Sequence, residues 1–175
     1  TLDRVIRRNI RLAEGDAFNA AKVRRSRQII NDLGYFSSVS VENKPGSGPD
    51  RSVLNFDVSE QSTGELTFGA GFSSDAGVLA TAGIAERNLL GRAQDLRVNV
   101  QISGITQNIQ GSFTEPYFLN REISAGVDVF NTVREFTESS FERDVLGFGL
   151  RLGYPLTEYL SQQVRYTLRD EEIIP

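Results

Sequence analysis

Residues 53–73 constrain this chain more than any other stretch. The run VLNFDVSE passes through the short joint Gln61-Ser62-Thr63-Gly64 straight into a second run, ELTFGAGFS, of a different kind. In that second run Leu66, Phe68, Ala70 and Phe72 alternate with Glu65, Thr67, Gly69, Gly71 and Ser73. Side chains alternate across a strand, so one face is apolar and the other small and polar. That pattern suits a strand with lipid on one side and a wet lumen on the other. A soluble-type module joined directly to a membrane-type strand leaves few architectures open.

The alternation then repeats. Leu96, Val98, Val100 and Ile102 alternate with Arg97, Asn99, Gln101 and Ser103, and Ile123, Ala125, Val127 and Val129 with Ser124, Gly126 and Asp128. Leu146, Phe148, Leu150, Leu152 and Tyr154 oppose Gly147, Gly149, Arg151 and Gly153. Leu160, Val164, Tyr166 and Leu168 oppose Ser161, Gln163, Arg165, Thr167 and Arg169. Two runs are less regular, Leu79–Arg87 and Gln107–Glu115. Together these predict seven strands of about 9–11 residues, the length a tilted strand needs to cross a bilayer. SSDAG, SGIT and NTVREFTESSFERD are expected as loops at one end, and RNLLGRAQ, EPYFLNRE and YPLTE at the other. Tyr117, Phe118, Tyr154 and Tyr159 gather at the second end, as an interfacial aromatic girdle does. A soluble β-sandwich also alternates. It has no need for large apolar residues set so persistently opposite Arg, Gln and Asn. Seven strands do not close an ordinary bacterial barrel, and an open edge in lipid is costly. Further strands are therefore expected on the C-terminal side.

The first part has another rhythm. Leu2, Val5, Ile6, Ile10 and Leu12 predict a helix across TLDRVIRRNIRL, with Asp3 suited to its N-terminal dipole. After the turn EGDAF, Asn19 is the expected N-cap of a second helix, Ala20–Leu33, with Val23, Ile29, Ile30 and Leu33 as its apolar stripe. Gly34 follows where a left-handed residue closes a helix. Strands are expected at SVSVENK and around Val53, Leu54, Phe56 and Val58, joined by the turn-forming PGSGPD.

Composition removes several functions. The chain has no Cys and no His, which excludes thiol chemistry, structural zinc sites and histidine acid/base catalysis. No apolar run reaches the roughly 18–20 residues of a spanning helix. Residues 1–62 carry ten Lys/Arg against eight Asp/Glu, and residues 63–175 nine against fifteen. The acidic second half does not suggest nucleic-acid binding. GAGFSS lacks the third glycine and the helix start of a dinucleotide site. Glu171-Glu172 are read as the solvated end of a strand or loop, with no partner for acid/base work. No enzyme and no cofactor are expected. A start at Thr1 without any Met is read as an internal piece of a longer protein.

The string EGDAF…LGYFSSVSV…VSEQSTGELTFGAGFSSDAG…ERNLLG…EPYF closely resembles the BamA family, the central subunits of the bacterial outer-membrane β-barrel assembly machine. The resemblance covers nearly the whole chain. It implies an α+β POTRA module over residues 1–62, of order ααββ with its first strand missing. It implies that residues 63–175 are the first seven of sixteen antiparallel transmembrane barrel strands. It places the strands in the outer membrane and the module in the periplasm, and implies further POTRA modules upstream and nine strands downstream. The partners it implies are the lipid bilayer, unfolded outer-membrane barrel clients and outer-membrane lipoprotein subunits of the machine. A related POTRA-barrel protein transporter shares the architecture, and a passive porin-like channel is a third reading.

The family mechanism implied is templated folding, in which the first barrel strand pairs with an incoming client strand. Its contact residues here are Glu65, Leu66, Thr67, Phe68, Gly69, Ala70, Gly71, Phe72 and Ser73. Gly69 and Gly71 weaken packing and ease release, or simply fit a tightly curved wall. By the same resemblance Arg7, Arg11 and Glu14 meet a lipoprotein partner through charge-assisted contacts. An ordinary solvated helix face is the alternative. Ser37, Ser38, Val39, Ser40 and Val41 form a possible edge for an extended peptide, unless that strand is occupied internally.

Overall fold

The computed structural model describes residues 1–48, 51–136, 141–157 and 159–174. Two compact units emerge, one of Thr1–Thr63 with Leu90–Arg92, the other of Gly64–Leu89 with Ala93–Pro175.

In the first unit, helices α1 (Asp3–Arg7) and α2 (Ala20–Asp32) precede the antiparallel pair β1 (Phe36–Pro45) and β2 (Ser52–Glu60). The α2 boundaries follow local chemistry. Asn19 Oδ1 accepts from the N–H groups of Ala21 (2.9 Å) and Lys22 (3.1 Å), capping two otherwise unpaired donors. Gly34 ends the helix at φ +71°, where a side chain would be strained. Val5 and Ile30 are wholly buried, with Phe36 and Val39 nearly so.

The first helix is shorter than its apolar spacing predicts. Asn9 Nδ2 donates to the Val5 carbonyl at 2.7 Å, and the Arg11 N–H goes to Ser26 Oγ at 2.8 Å rather than back up the helix. Side-chain bonds of this kind compete with helix continuation. Ser26 is wholly buried, yet its hydroxyl is satisfied, because it also donates to Lys22 O at 2.8 Å.

The second unit is one sheet of seven antiparallel strands in sequence order: β3 (Gly64–Ser73), β4 (Gly77–Leu89), β5 (Gln94–Ser103), β6 (Thr106–Glu115), β7 (Ser124–Phe136), β8 (Phe141–Pro155) and β9 (Ser161–Ile174). Its register aligns the faces across all seven. One row runs Leu66, Ile84, Val98, Gly111, Val129, Phe148, Leu168, and the adjacent row runs Glu65, Ala85, Arg97, Ser112, Asp128, Gly149, Thr167. The alternation seen strand by strand is thus a property of the whole sheet, with one apolar face and one polar face. The turns β4–β5, β6–β7 and β8–β9 share one end by antiparallel succession. Tyr117, Phe118, Tyr154 and Tyr159 belong to that end, with Tyr159 93% exposed.

Two sequence expectations fail here. The segment 131–144, expected as a loop, is mostly strand: β7 and β8 pair as far as Phe136 and Phe141, and residues 137–140 lie outside the described residues. Asn131 Nδ2 donates to Asp144 Oδ1 at 2.9 Å, and the rings of Phe136 and Phe141 stack at 4.6 Å. Backbone pairing therefore continues where the outward residues have turned polar. Strands β4, β7, β8 and β9 are also longer than 9–11 residues, at 13, 13, 15 and 14. Glu171, exposed near the end of β9, forms an ion pair with Arg143 at 2.7 Å.

Candidate functional site

All ten residues of β3 pair with β4, from Gly64↔Glu86 to Ser73↔Gly77. No strand lies along its other edge among the described residues. Alternate residues of Glu65–Ser73 therefore turn their N–H and C=O groups toward β4, and the residues between them turn theirs to the other edge. Leu66, Phe68, Ala70 and Phe72 stand on the apolar face, with Phe68 76% and Phe72 81% exposed. Glu65, Thr67, Gly69, Gly71 and Ser73 line the polar face.

The middle of the hairpin β3–β4 carries little side-chain bulk, between the larger pairs Leu66↔Ile84 and Phe72↔Val78. Its central pairs are Phe68↔Ala82, Gly69↔Thr81, Ala70↔Ala80 and Thr67↔Gly83. On the apolar face this leaves a shallow depression of about 470 Å³, lined by Phe68, Ala70, Ala80, Ala82, Val100 and Ile102. Ala80 and Ala82 are absent from the sequence-derived site. The available signal was the irregularity of Leu79–Arg87, whose small outward residues only gain meaning once registered against Ala70.

The polar face carries an ionic centre on the later strands. Arg151 donates through Nη2 to Ser112 Oγ (2.9 Å) and Thr114 Oγ1 (3.1 Å). Its Nε sits 2.8 Å from Asp128 Oδ2, an ionic contact out of line for a hydrogen bond, with Arg165 a further 4.0 Å from the same carboxylate oxygen. Gly126 makes room for this guanidinium: an added Cβ there would lie 2.9 Å from Arg151 Cζ. These groups bind one another across four strands, β6 to β9, which sequence spacing could not show.

In the first unit, Arg7 and Glu14 come together. Arg7 Nε donates to Asp3 Oδ2 at 2.5 Å and Nη1 to Glu14 Oε1 at 3.3 Å. The hydrogen bond to Asp3, with the charges of Asp3 and Glu14, raises the Arg7 guanidinium above its ordinary value. All three side chains are exposed, so the cluster is a solvated one of small stabilising value. Arg11 is placed by its backbone bond to Ser26, and its side chain is exposed. Ser38–Val41 pair with β2, with a register shift at Ser37, and Arg27 of α2 donates through Nε to the Val39 carbonyl at 3.0 Å. An added peptide meets a backbone acceptor already in use.

The Omp85 superfamily domain matches residues 88–174, and the POTRA family, described as a surface antigen variable number repeat, matches residues 1–61. Outer membrane protein assembly factor BamA of Neisseria meningitidis is 34% identical over 165 residues, covering 91% of this chain and 21% of its own length. The chain belongs to the BamA family. BamA of Nitratidesulfovibrio vulgaris is also 34% identical, over 99% of this chain and 22% of its own length. The chain thus spans about a fifth of the curated family members it matches. In fold it is similar to the crystal structure of BamA from Haemophilus ducreyi lacking POTRA domains 1–3, with a TM-score of 0.84 at 24% identity, over 100% of this chain and 34% of that one. CdiB from Acinetobacter baumannii shares the fold more distantly, with a TM-score of 0.61 at 12% identity over 94% of this chain and 35% of its own. Membership of the BamA family places the sheet in the outer membrane and the N-terminal module in the periplasm.

Proposed function

We propose that the full-length protein folds and inserts β-barrel proteins into the outer membrane, without enzymatic chemistry, by offering β3 as a template to a client strand. The observation that carries this reading is β3 itself: a membrane-facing strand joined directly to the periplasmic module, paired along one edge among the described residues, and backed at its middle by the small residues of β4. Strand β9 also has one unpaired edge among the described residues. On its apolar face it is backed by Phe148, Leu150 and Leu152 rather than by alanines. The N–H and C=O groups of Glu65–Ser73 that turn away from β4 give a client strand its backbone partners before its own barrel closes, which matters because an unpaired group in lipid costs several kcal/mol. Relatives named as assembly factors support the role.

The test is site-specific crosslinking from positions 65–73 of the full-length protein to a stalled client. Crosslinks along the strand, alternating with its two faces, are expected. Assembly that proceeds with no client captured at any of the nine positions contradicts the template.

The cluster Arg7, Arg11 and Glu14 is proposed as the docking point for an outer-membrane lipoprotein subunit. The charges are exposed and locally balanced, so a partner can exchange them for its own. Arg7→Glu or Glu14→Lys is expected to reduce co-purification of that subunit while leaving the barrel folded. Unchanged recovery from both variants contradicts it.

A further inference from the structure

Two turns at the periplasmic end of the sheet share one backbone conformation. Between β6 and β7, Leu119 (φ +56°) and Asn120 (φ +58°) are consecutive left-handed residues, and the Arg121 N–H donates to the Phe118 carbonyl at 3.2 Å. This is the arrangement of a type I′ turn, which favours Asn or Gly at both central positions. Between β4 and β5, Leu90 (φ +54°) and Gly91 (φ +70°) repeat it. In each turn the second central residue tolerates the conformation. The first is a leucine, whose Cβ crowds the following carbonyl there. Leu90 is 77% exposed and Leu119 76%, and an exposed arginine follows two residues later in each, Arg92 and Arg121. A large apolar side chain held in a disfavoured backbone and left in the open stabilises neither the turn nor a core. Such strain points to a use for the side chain outside the fold.

The Leu90 turn packs within the first unit, where the Gly91 carbonyl accepts from the Leu2 N–H at 2.8 Å. The Leu119 turn belongs to the sheet. It is held rigid from behind. The Glu115 carboxylate accepts from the Tyr117 N–H at 2.9 Å and from Gln94 Nε2 at 2.7 Å, and the Phe118 N–H donates to the Ile123 carbonyl at 2.7 Å. We propose that this turn is a lipid-binding tip: Leu119 seats among the acyl chains just beneath the headgroups of the inner leaflet, and Arg121 reaches a phospholipid phosphate. The inference is independent of strand templating. Phe118 beside Leu119 is 42% exposed. The turn β8–β9 lies two strand spacings along the same rim, about 10 Å, and exposes Leu156 (53%) and Tyr159 (93%). Apolar tips thus recur from turn to turn at one level, which suits a flat apolar partner. A bilayer is such a partner, and the sheet already sits in one. A protein partner instead calls for one apolar patch ringed by polar groups. Arginine lays its stem along acyl chains while its head meets phosphate.

The experiment uses the full-length protein in phospholipid liposomes, with and without its partner subunits. Leu119→Cys carries an environment-sensitive fluorophore, and Lys44→Cys, exposed on β1, is the control in water. Quenching is read from nitroxides placed at the headgroup end of the lipid chains and from iodide in solution. The expected result is lipid quenching several-fold stronger at 119 than at 44, weak quenching by iodide, and no dependence on the subunits. Iodide quenching at 119 equal to that of the control overturns the proposal. So does protection that appears only when the subunits are added, which assigns the turn to a protein. Arg121→Glu in the labelled protein is expected to reduce the lipid quenching, and unchanged quenching overturns the phosphate contact. A measurement without any substitution covers a labelled variant that folds poorly. In nanodiscs holding leucine-methyl-labelled wild type, the Leu119 methyl groups are expected to show magnetisation transfer from lipid chain protons. Transfer from water alone overturns the lipid contact.

Discussion

The hairpin β3–β4 and the hairpin β7–β8 are built from the same alternation and held together differently. Across β3–β4 the central pairs are alanine on alanine, glycine on threonine and phenylalanine on alanine. Across β7–β8 they include Val127↔Leu150, Val129↔Phe148 and Ala125↔Leu152. The later hairpin also carries the Asp128–Arg151 contact, and the Phe130 ring lies where a Cβ of Gly147 would be. It pairs through thirteen residues on each strand, against ten for the first hairpin. Each good cross-strand side-chain pair contributes roughly 0.2–1 kcal/mol beyond alanine; in the first hairpin the large apolar pairs are Leu66↔Ile84 and Phe72↔Val78, toward its ends, so its middle is held mainly by its backbone ladder. A strand bound in this way can take a new neighbour through its other edge while losing little. The later hairpin has the character of permanent wall.

The sharpest way to break this contrast is to remove the ionic centre of the wall. Arg151→Ala strands the partly buried Asp128 carboxylate with Arg165 alone, at 4.0 Å. It is expected to destabilise the full-length barrel by about 2–3 kcal/mol, read as a lower unfolding temperature in a heat-modifiability assay. Next comes Gly147→Val. Its Cβ falls within the Phe130 ring, which must swing aside, at an expected cost of about 1–2 kcal/mol in the same assay. Smallest is Gly71→Ala in β3. Nothing lies within 4 Å of the new methyl group, so stability is expected to move by less than about 0.5 kcal/mol. If Gly71→Ala costs as much as Gly147→Val, the first hairpin is as tightly packed as the later one and the comparison fails.

How far the sequence reveals these differences depends on the kind of interaction. The faces of the seven strands are legible because alternation is local, and the register extends it unchanged from Leu66 to Leu168. The Asn19 cap and the left-handed Gly34 are legible for the same reason, since each acts within a few residues. The end of α1 is not, because it depends on Ser26, fifteen residues beyond Arg11. Nor is the strand pairing through 131–144. Its residues are mostly polar, and only the diagonal Asn131–Asp144 bond and the opposed Phe136–Phe141 rings distinguish a strand from a loop. At the candidate site the strand Glu65–Ser73 stands out in the sequence, whereas the depression needs Ala80, Ala82, Val100 and Ile102 brought beside it by pairing.

Backbone hydrogen exchange of the full-length protein in nanodiscs, with and without a bound client strand, tests the central claim most directly. The amides of Leu66–Phe72 whose N–H groups point to the open edge are predicted to exchange fast in the free protein and to become protected when the client binds. Those of Leu146–Tyr154 are predicted to be slow in both states. Client binding that leaves Leu66–Phe72 unprotected would contradict the assignment of β3 as the template.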